Sequence, residues 1–193
     1  MSASRVAISL EEVIDGITRR ELEYTFYAKV IDMAELETAP AKEEHEQWKV
    51  PLSVDGNVSL RLRLIDKRRY TMTTKEWIKG QLGCQETPVD VSKDFFNAMR
   101  KAAKDGYIKT RYTFNIPNSP LKWEVDVFLD NMGRPHPWVK IDLEVNSEHD
   151  KIPELPIKVS EIIVNNGPNQ TAAQIAFVES LWSKHWFQID RNE

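Results

Sequence analysis

Polar and apolar residues alternate over several stretches of the chain, and a period of two predicts strands whose side chains part to opposite faces. In residues 21–31, Glu21, Glu23, Thr25, Tyr27 and Lys29 fall on one face, and Leu22, Tyr24, Phe26, Ala28 and Val30 on the other. The same rule separates Arg61 and Arg63 from Leu60, Leu62 and Leu64 in 57–66, and groups Thr71, Thr73 and Lys75 in 69–75. Lys109 and Arg111 share a face in 106–115, as do Glu124 and Asp126 in 121–130. In 137–146, Lys140, Asp142 and Glu144 alternate with Val139, Ile141, Leu143 and Val145. Segments 84–90 and 157–164 also read as strands, which makes eight.

A period near 3.6 marks the helices. Ser9 begins a capping-box spacing before Leu10, Val13, Ile14 and Ile17, so a short helix is expected over 9–20. Ser92 caps a second, from Lys93 to about Lys104, and a third spans about Gln170 to Trp186 with Ile175, Val178 and Leu181 as its packing stripe. Residues 34–47 are acidic, contain proline and show no period, and read as a surface loop. The expected organisation is a helical extension over 1–20 followed by one domain over 21–193, of α+β class and mostly antiparallel.

An ordinary antiparallel sheet has one solvated polar face, and any one of these strands taken alone fits that description. Solvated faces usually mix both charge signs with Ser, Thr and Gln, however, whereas here whole strands carry like charges at i and i+2, about 7 Å apart. Such repulsion is unfavourable unless opposite charge sits between them. A closed sheet with its charged face inward would gather acidic and basic strands around one polar lumen.

Composition narrows the ligand. The chain has 193 residues, enough for one well-filled core. It is 41% hydrophobic and 29% charged, so charge serves more than solubility. With a formal net charge of -4 there is no global positive field to attract nucleic acid or an acidic membrane, and any anion site must be local. One cysteine, no spanning apolar run and no signal-peptide core point to a cytoplasmic protein. Glu21, Glu23, Asp142 and Glu144 are hard oxygen donors suited to Mg²⁺ or Mn²⁺, with no His or Cys spacing for zinc. Arg61, Arg63, Lys75, Lys109 and Arg111 could grip several phosphate oxygens at once. A Gly-Lys-Ser/Thr phosphate loop is absent, so side chains rather than backbone would recognise the phosphates.

These residues resemble the motifs of the CYTH family, the triphosphate tunnel metalloenzymes that include inorganic and thiamine triphosphatases and class IV adenylyl cyclases. Glu21-Leu22-Glu23 is similar to the family's leading ExExK motif. Arg61-Leu62-Arg63, Thr73-Thr74-Lys75, Lys109-Thr110-Arg111, Glu124-Val125-Asp126 and Lys140-Ile141-Asp142-Leu143-Glu144 follow in the family's order. The resemblance spans roughly residues 21 to 164. It implies an eight-stranded antiparallel β-tunnel, closed or nearly closed, with a few flanking helices and metal-dependent hydrolysis of inorganic, nucleoside or thiamine triphosphate. Glu21, Glu23 and Glu144 would be catalytic and, with Asp142, would hold the metal. Arg61, Arg63, Lys75, Lys109 and Arg111 would bind substrate, with Glu86, Glu124, Asp126 and Lys140 ordering them. Thr25 stands where the motif has lysine, Asp142 where Glu is usual, and Glu86 alone remains of the acidic alternation expected in 84–90. These departures put turnover in question, so three alternatives stay open: a polyphosphate- or nucleotide-binding protein with weak catalysis, a class IV-type cyclase, and a partner-binding scaffold with decorated sheet faces.

Overall fold

The computed structural model describes residues 19–52, 58–77, 84–103, 105–130, 132–147, 150–164 and 171–183. Its strands are β1 (Arg19–Val30), β2 (Ala41–Pro51), β3 (Val58–Ile65), β4 (Arg69–Glu76), β5 (Cys84–Asp90), β6 (Asp105–Asn115), β7 (Lys122–Leu129), β8 (Pro135–Val145) and β9 (Val159–Val164). The helices are α1 (Lys93–Arg100) and α2 (Ala172–Ser183).

The strands run in the order β5-β4-β3-β2-β6-β7-β8-β1, and β1 pairs back onto β5 through Arg19–Glu21 against Cys84–Glu86. Every pairing is antiparallel, so eight strands close into a ring. β1 serves two neighbours along the same edge. Its first residues close the ring with β5, whereas Phe26–Val30 pair with β9, which lies outside the ring.

The expected α+β tunnel of eight strands is therefore present, with one member exchanged. Residues 34–47 are not a loop: Met33–Thr38 form a 3-10 turn, and β2 runs from Ala41 between β3 and β6. The predicted strand at 157–164 is β9, which takes no part in closing the ring. The helix expected over 9–20 falls on residues outside those described, except that Arg19 and Arg20 already belong to β1. Ser92 caps α1 as expected, its hydroxyl accepting from the Phe95 N–H, and α1 ends at Arg100 rather than near Lys104.

The apolar core wraps the outside of the ring because the inward face is charged. Leu22, Phe26, Val125, Val127, Val139, Ile141 and Leu143 point outward beneath Leu36 and Ile157. The indole of Trp123 in this layer donates to the Glu154 carbonyl at 3.0 Å. On another side Phe96 of α1 packs on Trp48, Leu60 and Leu62. There a Cβ at residue 106 would collide with the Trp48 indole, which accounts for Gly106 opposite it. A third cluster seats Val178 and Leu181 of α2 against Tyr27, with Trp138 and Phe177 beside them. Trp48 and Trp138 are thus packing residues. Among the described residues, no helix is long and apolar enough to cross a membrane.

Candidate functional site: a charged tunnel

Pleating sends alternate side chains of all eight ring strands into one cavity of about 240 Å³. Seven cationic and eight carboxyl side chains line it, so its charges nearly balance, and Arg61, Arg69, Lys75, Lys109, Arg111 and Lys140 each have a carboxylate partner. The sequence-predicted residues Glu21, Glu23, Arg61, Arg63, Lys75, Glu86, Lys109, Arg111, Glu124, Asp126, Lys140, Asp142 and Glu144 all reach this lining.

Register fixes who meets whom. Arg111 of β6 lies opposite Asp126 of β7, and its guanidinium donates to both carboxylate oxygens at 2.7 and 2.8 Å while also pairing with Glu124. Lys109 makes a short bond to the same Asp126. Asp126 is only 1% exposed, and burial favours its neutral form, but Arg111 and Lys109 hold its carboxyl well below the usual range. On β3, Arg63 donates to Gln47 Oε1 at 2.9 Å, and Gln47 in turn bonds Tyr107. Burial and the neighbouring Arg61 and Arg111 bring the Arg63 guanidinium down to about 9.

Across the tunnel, Lys75 bridges Glu21 at 2.7 Å and Glu86, and Arg61 reaches Glu86 at 3.2 Å. Burial raises the Glu21 carboxyl above its usual range despite Lys75. On the β1–β8 wall, Lys140 holds Asp142 in a short bond and Glu23 at 3.3 Å. Burial works against ionisation of Glu23, yet Lys140 and Lys75 draw its carboxyl down to about 2. Asp142 goes the other way. Burial lifts it to about 7 although Lys140 opposes, with Glu23 and Asp126 adding to the rise.

Thr25 explains how these two carboxyls coexist. It lies opposite Asp142 in the β1–β8 register, is 4% exposed, and its hydroxyl sits 2.9 Å from both Glu23 Oε1 and Asp142 Oδ1. One hydroxyl carries one proton, so Thr25 donates to Glu23 or to Asp142. When Asp142, the carboxyl of higher pKa, holds a proton, it can donate to Thr25 in turn, and both contacts are then filled. The position expected to carry an ammonium instead carries a hydroxyl relay.

The expected metal set is only partly assembled. Glu23 faces Glu144 in register, and both line the cavity with Glu21, whereas Asp142 is 2% exposed beneath Lys140 and Thr25. Among the described residues, the group whose ligand atoms lie mutually within 4.8 Å is Glu21, Glu86 and Cys84. Burial pushes the Cys84 thiol up to about 12, so it keeps its proton and the available donors are carboxylate oxygens, which fit Mg²⁺ or Mn²⁺ rather than a thiolate-seeking ion.

Sequence reasoning missed β2, which brings Glu43, His45 and Gln47 into the lining. The available signal was confined to Trp48-Lys49-Val50, because residues 42–47 are polar at every position. His45 is 1% exposed, and its Nε2 lies 3.2 Å from Glu43 Oε2. Outside the tunnel, Arg134 is an exposed turn residue paired with Asp130 at 2.7 Å, and His136 Nδ1 accepts from the Trp138 N–H.

The class these features define is an antiparallel β-tunnel with a charge-paired lumen. No protein-family model matches the chain, and no curated protein does. Among solved structures it is similar to the inorganic triphosphatase NE1496, at 20% identity and a TM-score of 0.46, over 78% of this chain and 90% of that one. It is similar to HpAC1 from Hippeastrum, described as revealing a dominant triphosphatase activity, at 11% identity and a TM-score of 0.43 over 66% and 80%. It is also similar to a chain of the Schizosaccharomyces pombe Mediator head module, at 12% identity and a TM-score of 0.43 over 69% and 86%. Likenesses this distant carry no functional conclusion.

Proposed function

We propose that the tunnel binds a triphosphate together with a divalent metal ion and hydrolyses it. The observation that carries this reading is the convergence of Arg61, Arg63, Lys75, Lys109 and Arg111 with eight carboxyl groups in one cavity. An anion alone would have to take these cations from their carboxylates, and a metal ion alone would have to take carboxylates from their lysines. Together they exchange one set of partners for another, so the internal ion pairs act as stand-ins for ligand and metal.

In this reading Arg61, Arg63, Lys109 and Arg111 bind phosphate oxygens, the arginines by forked hydrogen bonds. Lys75, between Glu21 and Glu86, reaches the phosphate from the acidic side. Glu86, Glu124 and Asp126 hold the cations in place while the tunnel is free of ligand. Glu21, Glu23 and Glu144 would hold Mg²⁺ or Mn²⁺, with Asp142 and Lys140 supporting Glu23 from below. The ion would supply charge neutralisation on the phosphoryl group and a lowered pKa for bound water. Glu21 and Glu23, on the acidic side, orient the attacking water toward the terminal phosphoryl group, and Arg61 and Arg63 stabilise the charge that develops on its oxygens.

A second reading, binding with little turnover, is favoured by Thr25. No ammonium occupies that position, and the hydroxyl there neutralises nothing.

The deciding experiment offers tripolyphosphate, ATP and thiamine triphosphate with Mg²⁺ or Mn²⁺, and resolves phosphate, pyrophosphate and cyclic nucleotide. Phosphate release that is lost in Glu23→Gln and Glu144→Gln supports hydrolysis. A raised melting temperature without product supports binding alone, and cyclic nucleotide assigns a cyclase. No product and no thermal shift with any of them would leave the decorated scaffold.

A further inference from the structure

Among the described residues, two buried side-chain polar atoms have no hydrogen-bond partner, Arg61 Nε and His45 Nδ1. Both residues line the tunnel. Leaving a buried polar group unpaired is costly, and the cost is tolerated where a ligand removes it. Arg61 Nε is a donor and fits the phosphate oxygens already proposed for this site. His45 Nδ1 does not fit in the same way.

The Glu43 carboxylate beside Nε2 accepts a hydrogen bond, which keeps the single imidazole proton on Nε2 and leaves a bare lone pair on Nδ1. His45 Nδ1 is thus a bare acceptor in a neighbourhood that holds the cations Lys109, Arg63 and Arg111. A phosphate oxygen is an acceptor too, and two acceptors can approach each other only by sharing a proton.

We propose that His45 is the proton-carrying contact of the tunnel, binding of a polyphosphate bringing one proton into the space between His45 Nδ1 and a phosphate oxygen. This role rests on the tunnel being a polyphosphate site, and it adds a residue of β2 and a proton linkage to that site.

The electrostatic surroundings agree. The charged groups facing His45 are Lys109 and Arg111 on β6, Arg63 on β3, Asp126 on β7 and Glu43 on its own strand. Burial, then Lys109, Arg63 and Arg111, drive its pKa down to about 2 against the pull of Asp126. In the free protein it is neutral throughout the physiological range. A bound polyphosphate places several negative charges against the same three cations and weakens the field that keeps His45 neutral. Once protonated, the ring donates from Nε2 to Glu43 and from Nδ1 to phosphate, both charge-assisted bonds. The sign follows from linkage. The complex holds one proton more than the free protein and the fully ionised ligand together, so binding of that form of the ligand strengthens as pH falls, by up to about tenfold per unit above the pKa of the complex.

The test is calorimetric titration of tripolyphosphate into the full chain at pH 8 with divalent metals chelated, in two buffers of different ionisation enthalpy. His45→Asn is the matched variant, because its amide can present an N–H near the place of Nδ1 without titrating. Proton uptake per bound ligand should be greater for the wild type than for the variant, and the difference should grow when the titration is repeated at pH 6. Equal proton uptake with binding intact in both overturns the role of His45 and leaves the polyphosphate site standing. Absence of tripolyphosphate binding to the wild type overturns both. A His45→Asn effect on ATP that is missing with tripolyphosphate overturns the phosphate contact in favour of a nucleoside contact. The unmutated protein gives an independent reading. The ¹⁵N spectrum of its four imidazoles, assigned by substituting the other three histidines in turn, should show Nδ1 of His45 move from bare to protonated on ligand addition. An unchanged Nδ1 signal at saturation sinks the proposal even if His45→Asn does not fold.

Discussion

The β6–β7 wall and the β1–β8 wall of the tunnel use the same chemistry in opposite proportion. On the first, one buried carboxylate, Asp126, serves two cations, Lys109 and Arg111. On the second, one lysine, Lys140, serves two carboxyls, Glu23 and Asp142. The first wall keeps Asp126 ionised between its cations, and the second raises Asp142, beside Thr25, to about 7. A carboxylate is therefore held ionised between Lys109 and Arg111 on one side, with Glu124 a second partner for Arg111, while burial makes a carboxyl titratable on the other.

The sharpest way to break this comparison is to remove the buried anion that Lys109 and Arg111 share. Asp126→Asn takes the carboxylate from Lys109 and leaves Arg111 to Glu124, and should cost about 3–5 kcal/mol of stability, read from urea unfolding. A loss below about 1 kcal/mol would mean that Lys109 and Arg111 are not held by Asp126 at all.

Next in size is ligand affinity. Arg61 contacts Glu86 on one edge of its guanidinium and has an unpartnered Nε, so it can engage phosphate with little loss of existing bonds. Arg61→Ala should weaken tripolyphosphate binding by about 1.5–3 kcal/mol. Unchanged affinity would remove the β3 arginines from the site.

The acidic wall is sharpened by pH. Asp142 is raised in the folded state to about 7, above the ordinary carboxyl value of the unfolded chain. The native state therefore binds this proton more tightly, and the contribution of Asp142 is most favourable at low pH and is lost as pH rises through about 7. Asp142→Asn, which cannot ionise, should flatten the decline in unfolding free energy between about pH 4 and pH 7. Parallel pH profiles for wild type and variant would show that Asp142 is ionised throughout.

Both walls were legible in the sequence where the lumen carries charge and the outer face is apolar. Lys140, Asp142 and Glu144 against Ile141, Leu143 and Val145 could hardly be read otherwise, and register then brings Glu124 opposite Asp142 and Asp126 opposite Lys140. β2 was hidden because both its faces are polar over Lys42–Gln47: one lines the tunnel, and the other alternates into Lys42, Glu44 and Glu46, of which Lys42 and Glu44 are exposed. Alternation also misled at the end of β1. Tyr27 and Lys29 share the parity of Glu21 and Glu23, but past Phe26 the strand has left β5 for β9, so Tyr27 packs under α2 and Lys29 pairs with exposed Glu161. Pairing partners, which no local pattern encodes, decide which part of a strand lines the ring. Nor could the hydroxyl relay be read, since it depends on Thr25 lying opposite Asp142.

The smallest effect, and the finest test of the comparison, lies at Thr25. Thr25→Val keeps the shape and removes the hydroxyl, so Glu23 and Asp142 keep Lys140 but lose the other partner they share, and stability should fall by about 0.5–1.5 kcal/mol. Thr25→Lys goes further. An ammonium at this position would compete with Lys140 for the same two carboxyls and favour ionisation of Asp142, abolishing the pH dependence described above. The phosphate-binding side chains of β3 and β6 are untouched by either change, so tripolyphosphate affinity should shift by less than about tenfold, or 1.4 kcal/mol. Turnover should respond more than affinity, because a cation here acts on charge that develops during transfer rather than on the bound ground state. If Thr25→Lys instead abolishes an activity that the wild type performs well, the neutral relay is itself part of the working site, and the two walls differ by function rather than by a missing charge.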